Sequence, residues 1–204
     1  MEGYIEEAKR GKQEIIASIE VGDNIPFGKY LWRVLKIKDG KALLLSDRII
    51  ENRKYNESNT NVTWETCTLR RYLNEEFYNS FSASEKAMIA ETRISNNKNP
   101  RYGTNGGNDT NDKIFLLSLE EVVKYFGDSG QLNNISERKS LSDQYNSARI
   151  AQDGRGTATW WWLRSPGSFS AYAANVLYDG TVDVFGDFVR SGSGGVRPAL
   201  WMNL

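Results

Sequence analysis

Apolar residues recur along this chain with two different periods, and the places where one gives way to the other divide it into elements. Residues 2–19 put Ile5, Ala8, Ile15, Ile16 and Ile19 on one side of a helix, with Glu, Lys and Arg elsewhere. Gly11 weakens its middle, so the segment reads as an arm over residues 1–20 outside the core. From Ile25 to Ser46 the chain reads as two strands around Asp39-Gly40, the dipeptide suited to a tight hairpin. Tyr30, Trp32 and Val34 share one face, whereas Leu31, Leu35 and Ile37 break the alternation, as a strand buried on both faces would. Residues 51–62 are polar and loop-like. Leu69, Leu73, Phe77 and Phe81 then recur every four residues, with Trp64 near the start, and predict a helix.

Ser82 and Glu85 have the spacing of a capping box, which opens a second helix through Met88 and Ile89; Ser118 and Glu121 repeat it before the stripe Leu119, Val122, Val123, Phe126. Between them, residues 95–112 are rich in Asn, Gly and Thr and read as a long surface loop, and Ile114–Leu117 as a short buried strand. Residues 127–158 are polar without periodicity. The last third is strand-like again: Thr159–Pro166, a second Asp-Gly hairpin over residues 175–185, and a closing strand over residues 196–204, where Pro198 predicts an edge or a bulge. The pattern is that of an α+β fold with a mixed or antiparallel sheet, two main helices and long loops. It predicts one domain over residues 21–204.

Composition narrows the chemistry. The 204 residues carry 26 Lys plus Arg and 26 Asp plus Glu, so the basic excess by which nucleic-acid binders neutralise phosphate is missing and no nucleic-acid partner is expected. The groups Arg48, Arg53, Lys54 and Arg70, Arg71 read as solvated faces. With no histidine, Ser–His and Cys–His nucleophile pairs and most zinc or iron sites drop out. The single cysteine, Cys67, falls in an apolar helical pattern and reads as a small buried hydrophobe. Asn108, Asp109, Asn111 and Asp112 are rich in oxygen but lack the spacing of a calcium loop, and such clusters make turns; no metal or cofactor is expected. Neither a signal peptide nor an apolar run long enough to span a membrane is seen, which predicts synthesis in the cytoplasm, no membrane insertion, and travel elsewhere only on a larger particle such as a phage.

The string Trp161-Trp-Leu-Arg-Ser-Pro-Gly167, followed by Asp179-Gly-Thr-Val182 and Gly195-Val-Arg-Pro-Ala-Leu200, resembles a family of uncharacterised bacterial domains common in gut Firmicutes. Phe27-Gly-Lys-Tyr-Leu-Trp-Arg-Val-Leu35, Thr68-Leu-Arg-Arg-Tyr-Leu-Asn74 and Asp112-Lys-Ile-Phe-Leu-Leu-Ser118 extend the resemblance over nearly everything after residue 20. It implies a C-type-lectin-like fold, the scaffold of formylglycine-generating enzymes and of the variable proteins of diversity-generating retroelements. In those variable proteins a C-terminal segment is randomised and displayed to bind ligand. Here the corresponding segment, residues 165–195, contains no Lys, Glu, Gln, Met or Trp. Adenine-directed mutation of AAC-type codons reaches none of those five, but a β-rich, turn-rich stretch also sheds Lys, Glu and Gln, so both explanations stand.

The same segment has the Tyr, Phe, Ser and Gly vocabulary of evolved binding surfaces, in which aromatic rings give contact area at low entropy cost. The candidate ligand-binding residues are Ser168, Phe169, Ser170, Tyr172, Tyr178, Thr181, Asp183, Phe185, Asp187, Phe188, Arg190, Ser191 and Ser193. Strand alternation sets Thr181, Asp183 and Phe185 opposite Val182 and Val184, which favours their exposure. Trp160, Trp161, Trp162 and Trp201 read as packing, and Arg164 and Arg197 as donors to buried carboxylates or carbonyls. The reading is a non-enzymatic binding or display protein with a protein or glycan ligand. The alternatives are a structural subunit of a phage or surface assembly and a degenerate formylglycine-generating-type domain. The last departs from its family at the chemistry, since those enzymes use cysteines in the C-terminal core.

Overall fold

The computed structural model of the chain describes residues 19–136 and 139–204. The arm expected over residues 1–20 therefore lies, apart from its last two residues, outside the described residues. Strands β1 (Asn24–Phe27), β2 (Tyr30–Lys38) and β3 (Lys41–Ser46) form an antiparallel meander. Asp39 and Gly40 close the β2–β3 turn with φ of 51° and 68°, the left-handed pair that matches the twist of a two-residue hairpin. The irregular burial of β2 comes from a register shift between Val34 and Lys36. That bulge puts Trp32 and Val34 and then Leu35 inward while Leu31 and Ile37 stay exposed. Burial on both faces, the reading from sequence, is not the cause.

After β4 (Glu51–Asn52) comes the helical middle. Helix α1 (Thr68–Tyr72) continues as a π-turn over Leu73–Phe77. Cys67 caps it: its Sγ accepts the Arg70 backbone N–H at 3.3 Å. Helix α2 (Ala83–Met88) opens with the expected Ser82–Glu85 capping box. Ile89, expected in that helix, instead starts β5 (Ile89–Ala90) against the C-terminal strand. Strands β6 (Thr92–Ile94) and β7 (Thr110–Asp112) pair and bracket the long loop. Residues 114–117 are buried, but they join a strand only through the bridge Phe115–Ala199. Helix α3 (Leu119–Phe126) has its Ser118–Glu121 box and buries the four predicted apolar residues.

The polar stretch before the last third contains only short elements: β8 (Ser140–Leu141), α4 (Asn146–Arg149), β9 (Ala151–Gln152) and β10 (Ala158–Thr159). They are held by an ion pair in place of apolar periodicity. Arg149 and Asp143 meet at 2.9 Å with both side chains almost wholly shut from solvent. Burial pushes the Asp143 carboxyl up, but hydrogen bonds from Arg149, Ser129 and the Tyr145 backbone N–H together hold it below its ordinary value.

Strands β11 (Trp161–Pro166), β12 (Tyr172–Val176), β13 (Val182–Phe188), β14 (Gly195–Val196) and β15 (Ala199–Asn203) complete the chain. One sheet has the order β1-β2-β3-β15-β5 and the other β4-β14-β11-β12-β13-β8. Nearly all ladders are antiparallel, β11–β14 being parallel. The molecule is thus mixed α+β, with mostly antiparallel sheets and few helices. Pro198 sits on neither an edge nor a bulge; it lies between β14 and β15, where the chain passes from one sheet to the other, and its carbonyl accepts the Ser46 N–H. A proline costs nothing there because no ladder needs its missing donor. Trp161 and Trp162 are fully buried beneath this crossing. Among the described residues no helix is long and apolar enough to cross a membrane.

Candidate functional site

The second sheet carries the segment singled out in the sequence. Arg164 anchors its first strand. One guanidinium nitrogen donates to the Leu116 carbonyl at 2.8 Å and to the Glu121 carboxylate, and another to the Ser95 carbonyl at 3.2 Å. Glu121 also completes the cap of α3, and the hydroxyl of Ser165 accepts the Leu119 N–H, so β11 is tied to a helix N-terminus. Beyond it β12 and β13 form the predicted Asp179-Gly180 hairpin, with a register shift between Ala173 and Asn175. Gly186 makes that shift possible. Its φ is 83°, and a Cβ there would strike the Ala173 carbonyl.

The irregularity turns four rings toward solvent. Tyr172 pairs across the ladder with Phe188, ring centroids 4.4 Å apart, and packs edge-on against Phe185 at 5.6 Å. Phe169 meets Tyr172 at 5.7 Å and Phe185 at 6.3 Å. Phe169 is 61% and Phe188 48% exposed, while Tyr172 and Phe185 are half-buried supports. The Tyr172–Phe188 pair is tilted by 38°, and the other three contacts are edge-on, arrangements favourable between rings that hold the cluster in shape.

Of the other candidates, Asp183 holds the bulge: one carboxylate oxygen accepts the N–H groups of Phe185 and Gly186 at 3.1 and 3.2 Å. Burial raises its pKa, an effect those two hydrogen bonds offset only in part. Asp187 likewise accepts the Phe188 N–H at 2.7 Å. Arg190 and Ser193 are exposed, and Ser170 and Ser191 half-buried, around the cluster's end of the hairpin. Tyr178, 65% exposed, is on the turn at the other end of β12 and does not join the rings. Two expectations are corrected. Thr181 is 7% exposed because its hydroxyl bonds the Asn146 side chain at 3.1 Å, so the strand face opposite Val182 is covered by α4. Ser168 is 9% exposed, beneath the loop whose Thr104 hydroxyl donates to its carbonyl.

That loop is what sequence reasoning missed. Residues 95–112, read as a long surface loop, end in β7, and the part before it is docked on the second sheet by Asn99, which is fully buried. Its amide donates to the Pro166 and Val184 carbonyls at 2.8 and 2.9 Å, and its oxygen accepts the Arg101 and Tyr102 N–H groups at 2.9 and 3.1 Å. Tyr102 thereby becomes a fifth ring, 5.9 Å from Phe185. Lys139 places its ammonium over the same ring at 5.9 Å. Asn99-Pro100-Arg101-Tyr102-Gly103 has turn composition, a signal for a structured bend but not for its docking partner.

Elsewhere the reactive groups are engaged in the scaffold. Cys67 is buried, and its burial pushes the thiol up to about 12. Asp112, from the oxygen-rich cluster, is buried and accepts from Trp64 and Arg70 at 2.8 and 2.7 Å. Arg70 is therefore no part of a merely solvated face. No group of three His, Cys, Asp or Glu side chains among the described residues is arranged to hold a metal.

A family model described as a domain of unknown function (DUF6273) matches residues 39–204. No curated protein matches the chain, and no solved structure does.

Proposed function

The chain belongs to the DUF6273 family of domains of unknown function, and we propose that it is a ligand-binding module that holds a protein or glycan on the aromatic cluster of Phe169, Tyr172, Phe185 and Phe188. One observation carries this reading: four rings, Phe169 from the β11–β12 loop and Tyr172, Phe185 and Phe188 from the β12–β13 hairpin, pack on one another with two of them exposed. A patch of rigid aromatics with serines and an arginine at its edge is the composition that recognises partners at low entropic cost.

We read the fold as C-type-lectin-like. The first strands and the last share one sheet, and the second sheet carries its irregular loops on the side of the cluster. In the variable-protein form of this proposal, diversity falls on side chains that the scaffold does not need. The partition within residues 165–195 supports it, since the exposed positions Phe169, Tyr178, Asp179, Phe188, Arg190, Gly192 and Ser193 are mostly aromatic, charged or Ser, while Ala173, Ala174, Val176, Val182, Val184 and Val189 are buried. A catalytic role of the formylglycine-generating type gains no support, because the thiol of Cys67 is shut inside the helical half. The test is to sequence this locus from related isolates. Substitutions should concentrate at Phe169, Ser170, Tyr172, Phe185, Asp187, Phe188, Arg190, Ser191 and Ser193, and leave Ala173, Ala174, Val182 and Val184 alone. An even spread along the chain would defeat the proposal.

A further inference from the structure

Asn105-Gly106 is the one place in the chain where a glycine follows an asparagine. That order matters chemically. The side-chain amide carbon of an asparagine, Cγ, is electrophilic, and the main-chain nitrogen of the next residue can close a five-membered ring on it. A side chain on that next residue shields the nitrogen and restricts the backbone rotation that closure needs; glycine does neither. The fold holds the glycine in place. A Cβ on Gly106 would stand 2.3 Å from the Asn96 carbonyl oxygen and 2.4 Å from that of Asn97, both of them backbone atoms. A larger residue that would protect Asn105 therefore does not fit there.

Gly106 is buried against those carbonyls, whereas Asn105 is exposed. The Asn105 side-chain oxygen accepts the Gly107 N–H at 3.0 Å. This turn bends the side chain back along the peptide that contains the Gly106 nitrogen, and the hydrogen bond draws electron density from Cγ. Neither the Gly106 N–H nor the Asn105 amide nitrogen has a hydrogen-bond partner among the described residues. Attacking and leaving groups are thus both unheld. Two nearby asparagines differ. Asn99 is fully buried and precedes Pro100, which has no N–H to lose. The amide of Asn108 is held by the Glu65 carboxylate at 3.1 Å.

We propose that Asn105 is a site of spontaneous covalent modification, at which this asparagine becomes aspartate and isoaspartate in the native protein. The Gly106 nitrogen loses its proton to hydroxide and gives its electron pair to Asn105 Cγ. The bond from Cγ to the side-chain nitrogen breaks, and that nitrogen takes a proton from water and leaves as ammonia. Water then opens the cyclic imide. Opening between Cγ and the Gly106 nitrogen gives aspartate; opening at the main-chain carbonyl gives isoaspartate, whose chain runs through the former side chain and is one methylene longer. Either product adds a negative charge to a chain whose formal net charge is zero. The extra methylene falls between two fixed points of the loop, the Thr104 hydroxyl on the Ser168 carbonyl at 2.9 Å and Asn108 on Glu65. The proposal does not depend on what the aromatic cluster binds.

The test is to store the full chain at pH 6 and pH 8, folded and in urea, and to follow the tryptic peptide Tyr102–Lys113 by mass spectrometry. That peptide also contains Asn108 and Asn111, which serve as internal references, and fragmentation distinguishes aspartate from isoaspartate. Conversion is expected at Asn105 ahead of the other two, faster at pH 8 than at pH 6, with both products present. The folded chain should react within about tenfold of the rate in urea, a barrier difference of about 1.4 kcal/mol. Asn105→Gln should leave the peptide unconverted at this position, because its longer side chain would have to close a six-membered ring. The proposal is overturned by no conversion at Asn105 in the folded chain, by a folded rate more than about tenfold below that in urea, by equal conversion at Asn108 and Asn111, or by aspartate without isoaspartate.

Discussion

Asn99 makes a long loop part of the second sheet, and its removal can be costed from the structure. Four hydrogen bonds between 2.8 and 3.1 Å end on its side chain, two given to carbonyls of β11 and β13 and two received from its own loop. Asn99→Ala strips all four partners in a place with no exposure. Each buried group left unsatisfied costs about 1–3 kcal/mol, but the vacated space is large enough for one water to serve some of them, so the loss should come to about 3–5 kcal/mol. Asn99→Asp separates donation from volume. It still accepts from Arg101 and Tyr102, but at neutral pH it sets an anionic oxygen against the Pro166 and Val184 carbonyls. Protonation restores one donor. The folded-state pKa of the new acid must therefore lie above its unfolded value, and the destabilisation grows as pH rises through that interval. Urea unfolding followed by the fluorescence of the six tryptophans measures both variants at pH 7 and pH 4. The Asp variant should recover toward acid relative to wild type while the Ala variant does not. An Ala variant within about 1 kcal/mol of wild type, less than one lost buried hydrogen bond, would refute the reasoning.

Gly186→Ala should cost at least about 2 kcal/mol in denaturant melts, because a left-handed φ and a Cβ directed at the Ala173 carbonyl combine; a neutral result would mean the bulge is not needed. Asp143→Asn should cost about 3 kcal/mol at pH 7 by leaving Arg149 buried and uncompensated. Since the Asp143 pKa is depressed in the fold, the wild-type advantage is present above the ordinary carboxylate value and shrinks as pH falls through the folded one, which melts at pH 7 and pH 3 would reveal. Cys67 should resist iodoacetamide in the native protein at pH 8 and react once unfolded, as mass spectrometry can follow, because burial holds the thiol at about 12. Phe169→Ala and Phe188→Ala should each cost under about 1 kcal/mol in stability while weakening the proposed ligand, whereas Trp162→Ala, fully buried, should cost about 3–5 kcal/mol.

The elements that the chain announces in advance are those whose cause is local. Both capping boxes, the two Asp-Gly hairpins and the every-fourth-residue stripe of the helical middle are each decided by residues within one turn of each other, and each is present. Failures came where a distant partner decides. Ile89 continues a helical pattern, yet it is captured by β15, which enters the chain more than a hundred residues later. Leu35 looked like evidence for a strand buried twice over, because a bulge changes the inward parity without changing composition. Residues 127–158 showed no periodicity because an ion pair, Asp143 with Arg149, organises what apolar spacing elsewhere would.

The candidate site follows the same division. Aromatic identity in residues 165–195 marked the rings, but alternation could not tell which face each would take once Gly186 broke the register, and Thr181, expected outward, was claimed by Asn146 of α4. The ring that completes the cluster, Tyr102, belongs to a loop whose polar composition reads as solvent-facing. Polarity there serves the interior: Asn99 bonds the carbonyls of Pro166 in β11 and Val184 in β13 and its own turn, and that bonding brings Tyr102 against Phe185. Loop and hairpin are thus one mechanical unit. A substitution at Asn99, out of reach of any ligand on the rings, should loosen the aromatic face as surely as one at Phe185, and should do so by unfastening its support while every exposed ring remains in the sequence.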